Sequence, residues 1–344
     1  MYLTGCSGSK YHYSEPTYQK ALKRGTVLDQ FAIPRALQEK ILQLDPDHVS
    51  EQELREVLAQ APAPRIINIH GGIYPVYLEM ESFSQFLIGM GYPEAKIRHP
   101  ADGAYSFSCY DNSAHIAGAI AWFYEKEGLR PLLVGHSQGG IQAIKVLHEL
   151  AGAFDPRLSV WNPLTERSEK RDWILDPVTG LHLPIAGGPP KLCYATAVTA
   201  GGLTRLMPNQ WSMMFKLRTI PASTTNFTGF YFGFDLLGGD GLGFGDGNYH
   251  PNGPVTVRNV ALPASYNHYF VPRTAHLKDF PETRRWINEE FVPGPRPDFK
   301  AKLPGSTANI LWAADVWTSI KKHWVLELQR VINARRAWDA NMTP

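Results

Sequence analysis

Six residues, Gly135-His136-Ser137-Gln138-Gly139-Gly140, restrict the fold of this chain more than any other stretch. They follow the apolar run Pro131-Leu132-Leu133-Val134 and precede Ile141-Gln142-Ala143-Ile144-Lys145-Val146-Leu147, whose apolar residues recur at helical spacing. The pattern predicts a strand, a sharp turn and a helix. Gly135 and Gly139 leave room for a tight, strained turn, which presents the Ser137 hydroxyl above the sheet. The helix behind it aims its first backbone N–H groups at any anion formed beside that hydroxyl.

The surrounding chain supplies the rest of such a sheet. Arg65-Ile66-Ile67-Asn68-Ile69 reads as a short buried strand ending in His70-Gly71-Gly72. Ser82 to Ile88 reads as helix, Ala95 to His99 as a weak strand, and Asp111-Asn112-Ser113 as the cap of a helix that runs to Gly128. Strand and helix therefore alternate from 65 to 150, the signature of βαβ units and a mostly parallel sheet. Such crossovers gather functional loops at the carboxyl ends of the strands. Upstream, Pro34 opens a helix at Arg35 to Leu44. Ser50 and Glu53 form a capping box for a second helix ending near Gln60, with Val49 and Leu54 as its hydrophobic staple. Downstream, strands are expected at Lys191 to Val198, Phe230 to Asp235 and Val255 to Leu262.

These motifs resemble the α/β-hydrolase superfamily on its lipase and esterase side. The resemblance implies an α/β fold, with a mostly parallel central sheet flanked by helices and a cap or lid insertion. It divides the chain into an N-terminal arm with helices (1–60), a hydrolase domain (61–298) and a C-terminal helical extension (299–344). Lid-like insertions fall at about 151–190 and 204–228. The second carries Leu206, Met207, Trp211, Met213, Met214, Phe215 and Leu217, which suit an adaptable acyl pocket or an ordinary buried helix. In the first, Thr165 to Arg171 is a charged, solvated face.

The resemblance also assigns roles. Ser137 becomes the nucleophile, and the N–H groups of Gly72 and Gln138 become the oxyanion donors. The acid belongs just past a later strand, which makes Asp235 the first choice. Asp240 and Asp246, in the glycine-rich run that follows, compete with it. The base belongs on a loop after the strand Val255 to Leu262. His276, ahead of a helix opening at Pro281, is preferred to His268, whose followers Tyr269-Phe270-Val271-Pro272 read as extended. The order Ser137, Asp235, His276 is the one this superfamily uses.

The activity so implied is hydrolysis of carboxylic esters through an acyl-enzyme on Ser137, with a small-molecule or lipid ester as substrate and no cofactor. Acyl transfer or amide cleavage would use the same groups. A binding protein on a hydrolase scaffold that has lost activity is the alternative from another class.

Composition narrows the remaining classes. A net charge of +2 on 344 residues, with no basic run of five or more, is too small to argue for nucleic acid or an anionic surface, and no nucleic-acid partner is expected. No run of eighteen apolar residues is present to span a membrane. Leu3-Thr4-Gly5-Cys6 matches the lipobox of bacterial lipoproteins without the apolar stretch that should precede it. If it operates, Cys6 is a lipid anchor and the protein belongs to a bacterial cell envelope; if the match is accidental, the expectation is cytoplasmic. The other two cysteines, Cys109 and Cys193, form a disulfide or remain two buried thiols. The run Gly238 to Gly247 faintly resembles calcium-binding glycine repeats but lacks their second aspartate spacing, and no His-x-x-x-His or paired-Cys spacing suggests a metal. The tail has Ile310, Leu311, Val316, Ile320, Trp324, Leu328, Val331 and Ile332 at broadly helical intervals. Such a stripe packs on the parent domain, on a partner or on another copy, and the spacing does not choose.

Overall fold

Five apolar runs become the strands β1 (Ile66–Ile69), β2 (Leu132–His136), β3 (Tyr194–Val198), β4 (Asn226–Phe232) and β5 (Thr256–Leu262). The computed structural model describes residues 33–201, 208–233, 235, 237–238 and 248–342. All five strands pair in parallel, and their order in space is their order in the chain. Ile66 lies opposite Leu132, Leu132 opposite Tyr194, and Val198 opposite Phe230. Every residue of β1, β2 and β3 is buried, as expected for a parallel sheet covered on both faces.

Successive strand residues point to opposite faces, and two core clusters result. Ile66, Leu132, Val134 and Tyr194 belong to one cluster, and Ile67, Leu133 and Ala195 to the other. The first face is covered by α1 (Arg35–Gln43), α2 (Glu51–Glu56) and α3 (Tyr74–Gly89). The second is covered by α4 (Ser113–Glu127) and α5 (Gln138–Leu150). Among the described residues the short helix α6 (Pro281–Arg285) and the 33-residue helix α7 (Ile310–Met342) follow.

The local signals explain the element ends. Ser50 accepts from the Glu53 N–H and donates its own N–H to the Glu53 carboxylate, the reciprocal capping box. The Asn112 side chain accepts from the Ala114 N–H at 2.9 Å, and Gly128 closes α4 at φ 79°, a conformation that glycine adopts without steric cost.

Helix α7 packs on its own chain. Trp312, Trp317 and Trp324 are fully buried in the first-face cluster, together with the residues of α1, α2 and α3. Its buried carboxylates are paired as well. Arg258 of β5 grips Asp315, while Arg130 and Arg330 both reach the buried Glu327. A buried carboxylate is strongly penalised unless paired, and the two guanidiniums hold Glu327 below the usual carboxylate range despite its burial. Among the described residues no helix is long and apolar enough to cross a membrane.

Three expectations change. Ala95 to His99 is no strand: Glu94–Lys96 is a single 3-10 turn, started by Pro93. The chain instead touches the sheet edge further on, where Phe107 bridges Ile69 in parallel. In the first insertion Thr165 to Ser168 is solvated, but Glu169 and Arg171 turn inward. Arg171 binds Glu125 at 2.7 Å, and Glu169 accepts from the Trp122 indole at 3.0 Å. That insertion forms two small antiparallel hairpins, Trp161–Asn162 with Arg167–Ser168 and Trp173–Leu175 with His182–Pro184. In the second insertion Met213 is buried while Phe215 is 92% exposed; Leu206 and Met207 lie outside the described residues.

Cys109 and Cys193 are both free and buried, one in each core cluster. Burial pushes the Cys109 thiol up to about 12 and moves Cys193 in the same direction.

Candidate active site

Ser137 stands between β2 and α5 with φ 56° and ψ −124°, a left-handed backbone that a residue with a side chain rarely adopts. Strain of this kind costs on the order of 1–3 kcal/mol and persists only where the surroundings enforce it. Here the Ser137 N–H donates to the Val198 carbonyl at 3.0 Å, and the Ser137 carbonyl accepts from Gly140 and Ile141. The glycines leave the turn its space. A methyl group on Gly135 would lie 2.4 Å from the Gly139 carbonyl oxygen, and one on Gly139 would lie 2.3 Å from that of Ile69.

The Ser137 hydroxyl is 2.8 Å from Nε2 of His268. On the other side of that ring, Nδ1 lies 2.9 and 3.0 Å from the two oxygens of Asp235. A carboxylate only accepts, so Nδ1 carries the proton, and Nε2 offers its lone pair to the serine O–H. Asp235 also accepts from the N–H groups of Leu237 and Gly238 at 3.1 and 2.8 Å. Gly238 fits only because it lacks a side chain, since a methyl there would meet the Asp235 carboxylate at 2.4 Å. All three members of the relay have buried side chains. A histidine so placed can take the serine proton, and a carboxylate so placed holds the ring in the required tautomer.

His136 supports the relay from the strand side. Its Nε2–H donates to the His268 carbonyl at 2.7 Å, and burial lowers its pKa to about 3, so the ring is neutral. Its Nδ1 is buried without a partner.

His276, the histidine preferred from the chain order, lies elsewhere. It belongs to a 3-10 turn, Ala275–Lys278, beside Arg273, Asp279 and the Ala308 backbone, and burial lowers its pKa. The structure brings His268 to Ser137 in its place. The residues after His268 do not run extended: Asn267 accepts the Tyr269 N–H on its side chain and the Phe270 N–H on its carbonyl, and Arg273 closes a further turn on Phe270. An asparagine that hydrogen-bonds its own following backbone starts a turn. Asn267 was the local signal that His268 sits on a loop. Of the acid candidates, Asp235 joins the relay, whereas Asp240 and Asp246 lie outside the described residues.

The loop after β1 runs beside Ser137. A methyl on Gly71 would come within 3.1 Å of the Ser137 β-carbon, and one on Gly72 within 2.2 Å of the Gln138 side-chain oxygen. His70 Nδ1–H donates to the Gly71 carbonyl at 2.7 Å, with the Tyr77 ring meeting His70 edge-on at 5.2 Å. As the first residue of α5, Gln138 has an N–H with no acceptor within the helix. Exposed Ile73, Tyr74, Tyr110, Tyr269 and Phe270 flank these segments in the chain. Among the described residues no cluster of His, Cys, Asp or Glu is arranged to hold a metal ion. Comparison of the chain with models of protein families, with curated proteins and with solved structures returned no match.

Proposed function

We propose that this chain is a serine-dependent carboxylic-ester hydrolase of α/β-hydrolase type, with Ser137 as nucleophile, His268 as base and Asp235 as acid. The observation that carries the reading is the continuous relay from the Ser137 hydroxyl through His268 to Asp235. Its order along the chain, Ser, Asp, His, is that of the superfamily. The parallel sheet, with the nucleophile at the carboxyl end of an interior strand, supports the same reading.

In the first step His268 takes the Ser137 proton as the oxygen attacks the ester carbonyl. The N–H groups of Gly72 and Gln138 receive the resulting oxyanion; losing one such donor typically lowers the rate on the order of 10²–10³-fold. His268 then protonates the departing alcohol. In the second step it deprotonates water, which attacks the acyl carbon; His268 then returns that proton to the Ser137 oxygen as the acyl–oxygen bond breaks, freeing the acid and restoring the serine. Asp235 keeps the ring in place and stabilises its charged form. The segments 151–190 and 208–225 are the cap of this reading; the second stops short of the expected residue 228 because β4 begins at Asn226.

Ser137→Ala beside the intact chain tests it. Wild type should hydrolyse a short p-nitrophenyl ester and be labelled by a fluorophosphonate, and the variant should do neither. Turnover retained by the variant, or a folded wild type that resists the label, would overturn the reading.

A further inference from the structure

Gly72 lies between two peptide groups whose carbonyls are both held by side chains. His70 binds the Gly71 carbonyl, and the Tyr110 hydroxyl donates to the Gly72 carbonyl at 2.8 Å. In a planar trans peptide the C=O and N–H point in opposite directions. Holding the Gly71 carbonyl therefore aims the Gly72 N–H, and holding the next carbonyl fixes the following peptide plane. Together the two bonds restrain rotation about a residue that, lacking a β-carbon, has the most freedom to lose.

Tyr110 is itself anchored, and the anchor leads back to the nucleophile. Its N–H donates to the Ser108 hydroxyl at 3.1 Å, and the Ser108 N–H donates to the Asp111 carboxylate at 2.9 Å. Cys109 between them is fully buried. The Asp111 carbonyl accepts from the Gln142 side chain at 2.6 Å. Gln142 is on α5, one turn beyond Gln138. A single path thus joins the helix that bears one proposed oxyanion donor to the loop that bears the other, through Gln142, Asp111, Tyr110 and Gly72. Tyr110 is 58% exposed, so its hydroxyl bond, rather than its packing, is what it contributes to the loop.

We infer that Tyr110 is a positioning residue for ester hydrolysis, whose hydroxyl sets the placement of the Gly72 N–H relative to the Gln138 N–H. The inference rests on the serine-hydrolase reading above. Misplacement of reacting groups by about 1 Å can cost on the order of 10²-fold in rate.

The test uses the full-length chain with Tyr110→Phe, Gln142→Met and the double variant, assayed on p-nitrophenyl acetate and against a trifluoromethyl ketone that mimics the tetrahedral intermediate. Tyr110→Phe should lower kcat about 10- to 100-fold with KM within about twofold, the pattern of an interaction made only in the transition state. Inhibition by the ketone should weaken by the same factor as kcat/KM, while Tm moves little. Gln142→Met should act in the same direction, and the double variant should be little worse than Tyr110→Phe, because both act on one path. Unchanged kcat in Tyr110→Phe, or a raised KM alone, overturns the inference while leaving the hydrolase reading intact. An inactive wild type that fluorophosphonate does not label overturns both.

Discussion

His136 donates through Nε2 to the carbonyl oxygen of His268 at 2.7 Å, so the residue before Ser137 holds the backbone of the histidine that Ser137 touches. Ser137 and His268 are thus joined twice, once by the side-chain relay and once through the backbone. This favours a rigid site over one that assembles on binding.

Separate substitution of the two histidines follows directly. His268→Ala should lower kcat for a p-nitrophenyl ester by at least about 10³-fold, and Asp235→Asn should lower it comparably by releasing the tautomer. His276→Ala should leave kcat within a few-fold. Steady-state kinetics on the three variants measures this, and loss of activity in His276→Ala with activity kept in His268→Ala would reverse the assignment.

Acid should destabilise the fold well before its carboxylates titrate. Burial lowers His136 to about 3 and His323 to about 4, from 6.5. Between about pH 6.5 and 4 the unfolded chain takes up protons at these sites that the folded chain does not, so stability falls as the pH falls. Each site contributes a slope approaching about 1.4 kcal/mol per pH unit within that window. Urea denaturation at pH 7.5, 6 and 4.5 should register the decline. His323→Phe should flatten it, since Phe retains the stack on Tyr194, 4.8 Å away, and has nothing to protonate.

Gly139→Ala should fail where a mere change of helix propensity would not. The added methyl would lie 2.3 Å from the Ile69 carbonyl and 2.5 Å from that of His70. Both are backbone atoms that cannot swing aside. A cost above about 3 kcal/mol is expected, beyond ordinary overpacking. Thermal unfolding and soluble yield would report it, and a Tm within a few degrees of wild type would show that the elbow is looser than described.

Two tryptophans of α7 separate packing from hydrogen bonding. Trp324 donates to the Pro62 carbonyl at 2.7 Å, whereas the buried Trp312 indole N–H has no partner. Trp324→Phe abandons a buried acceptor and should cost about 1–3 kcal/mol. Trp312→Phe removes an unsatisfied donor with a modest loss of volume and should cost less than about 1.5 kcal/mol. Either residue changed to Ala should cost about 3–5 kcal/mol. Chemical denaturation gives the comparison, and equal costs for the two Phe variants would remove the argument.

Much of the architecture can be read before folding. The positions of four of the five strands, the capping box at Ser50, the cap at Asn112, the glycine at 128 and the strand-turn-helix around Ser137 are set by neighbours within about a helical turn, whereas β4 lies at Asn226–Phe232 rather than at the expected Phe230 to Asp235. Backbone sterics, hydrogen bonds to nearby peptide groups and apolar periodicity act over that range, so a linear pattern carries them. Asp235 was legible in the same way, as a carboxylate past a strand end.

What only the tertiary structure decided lies beyond that range. His268 rather than His276 meets Ser137, 131 positions away in the chain, because the loop from Asn267 turns back to the carboxyl end of β2. Helix α7 covers its own sheet because Trp312, Trp317 and Trp324 find the first face of that sheet unfilled by α1, α2 and α3. Tyr110 reaches the Gly72 carbonyl across 38 positions. No local rule encodes such pairings; they arise when burial on both faces of the sheet brings distant segments to the same place, where directional hydrogen bonds then select among them.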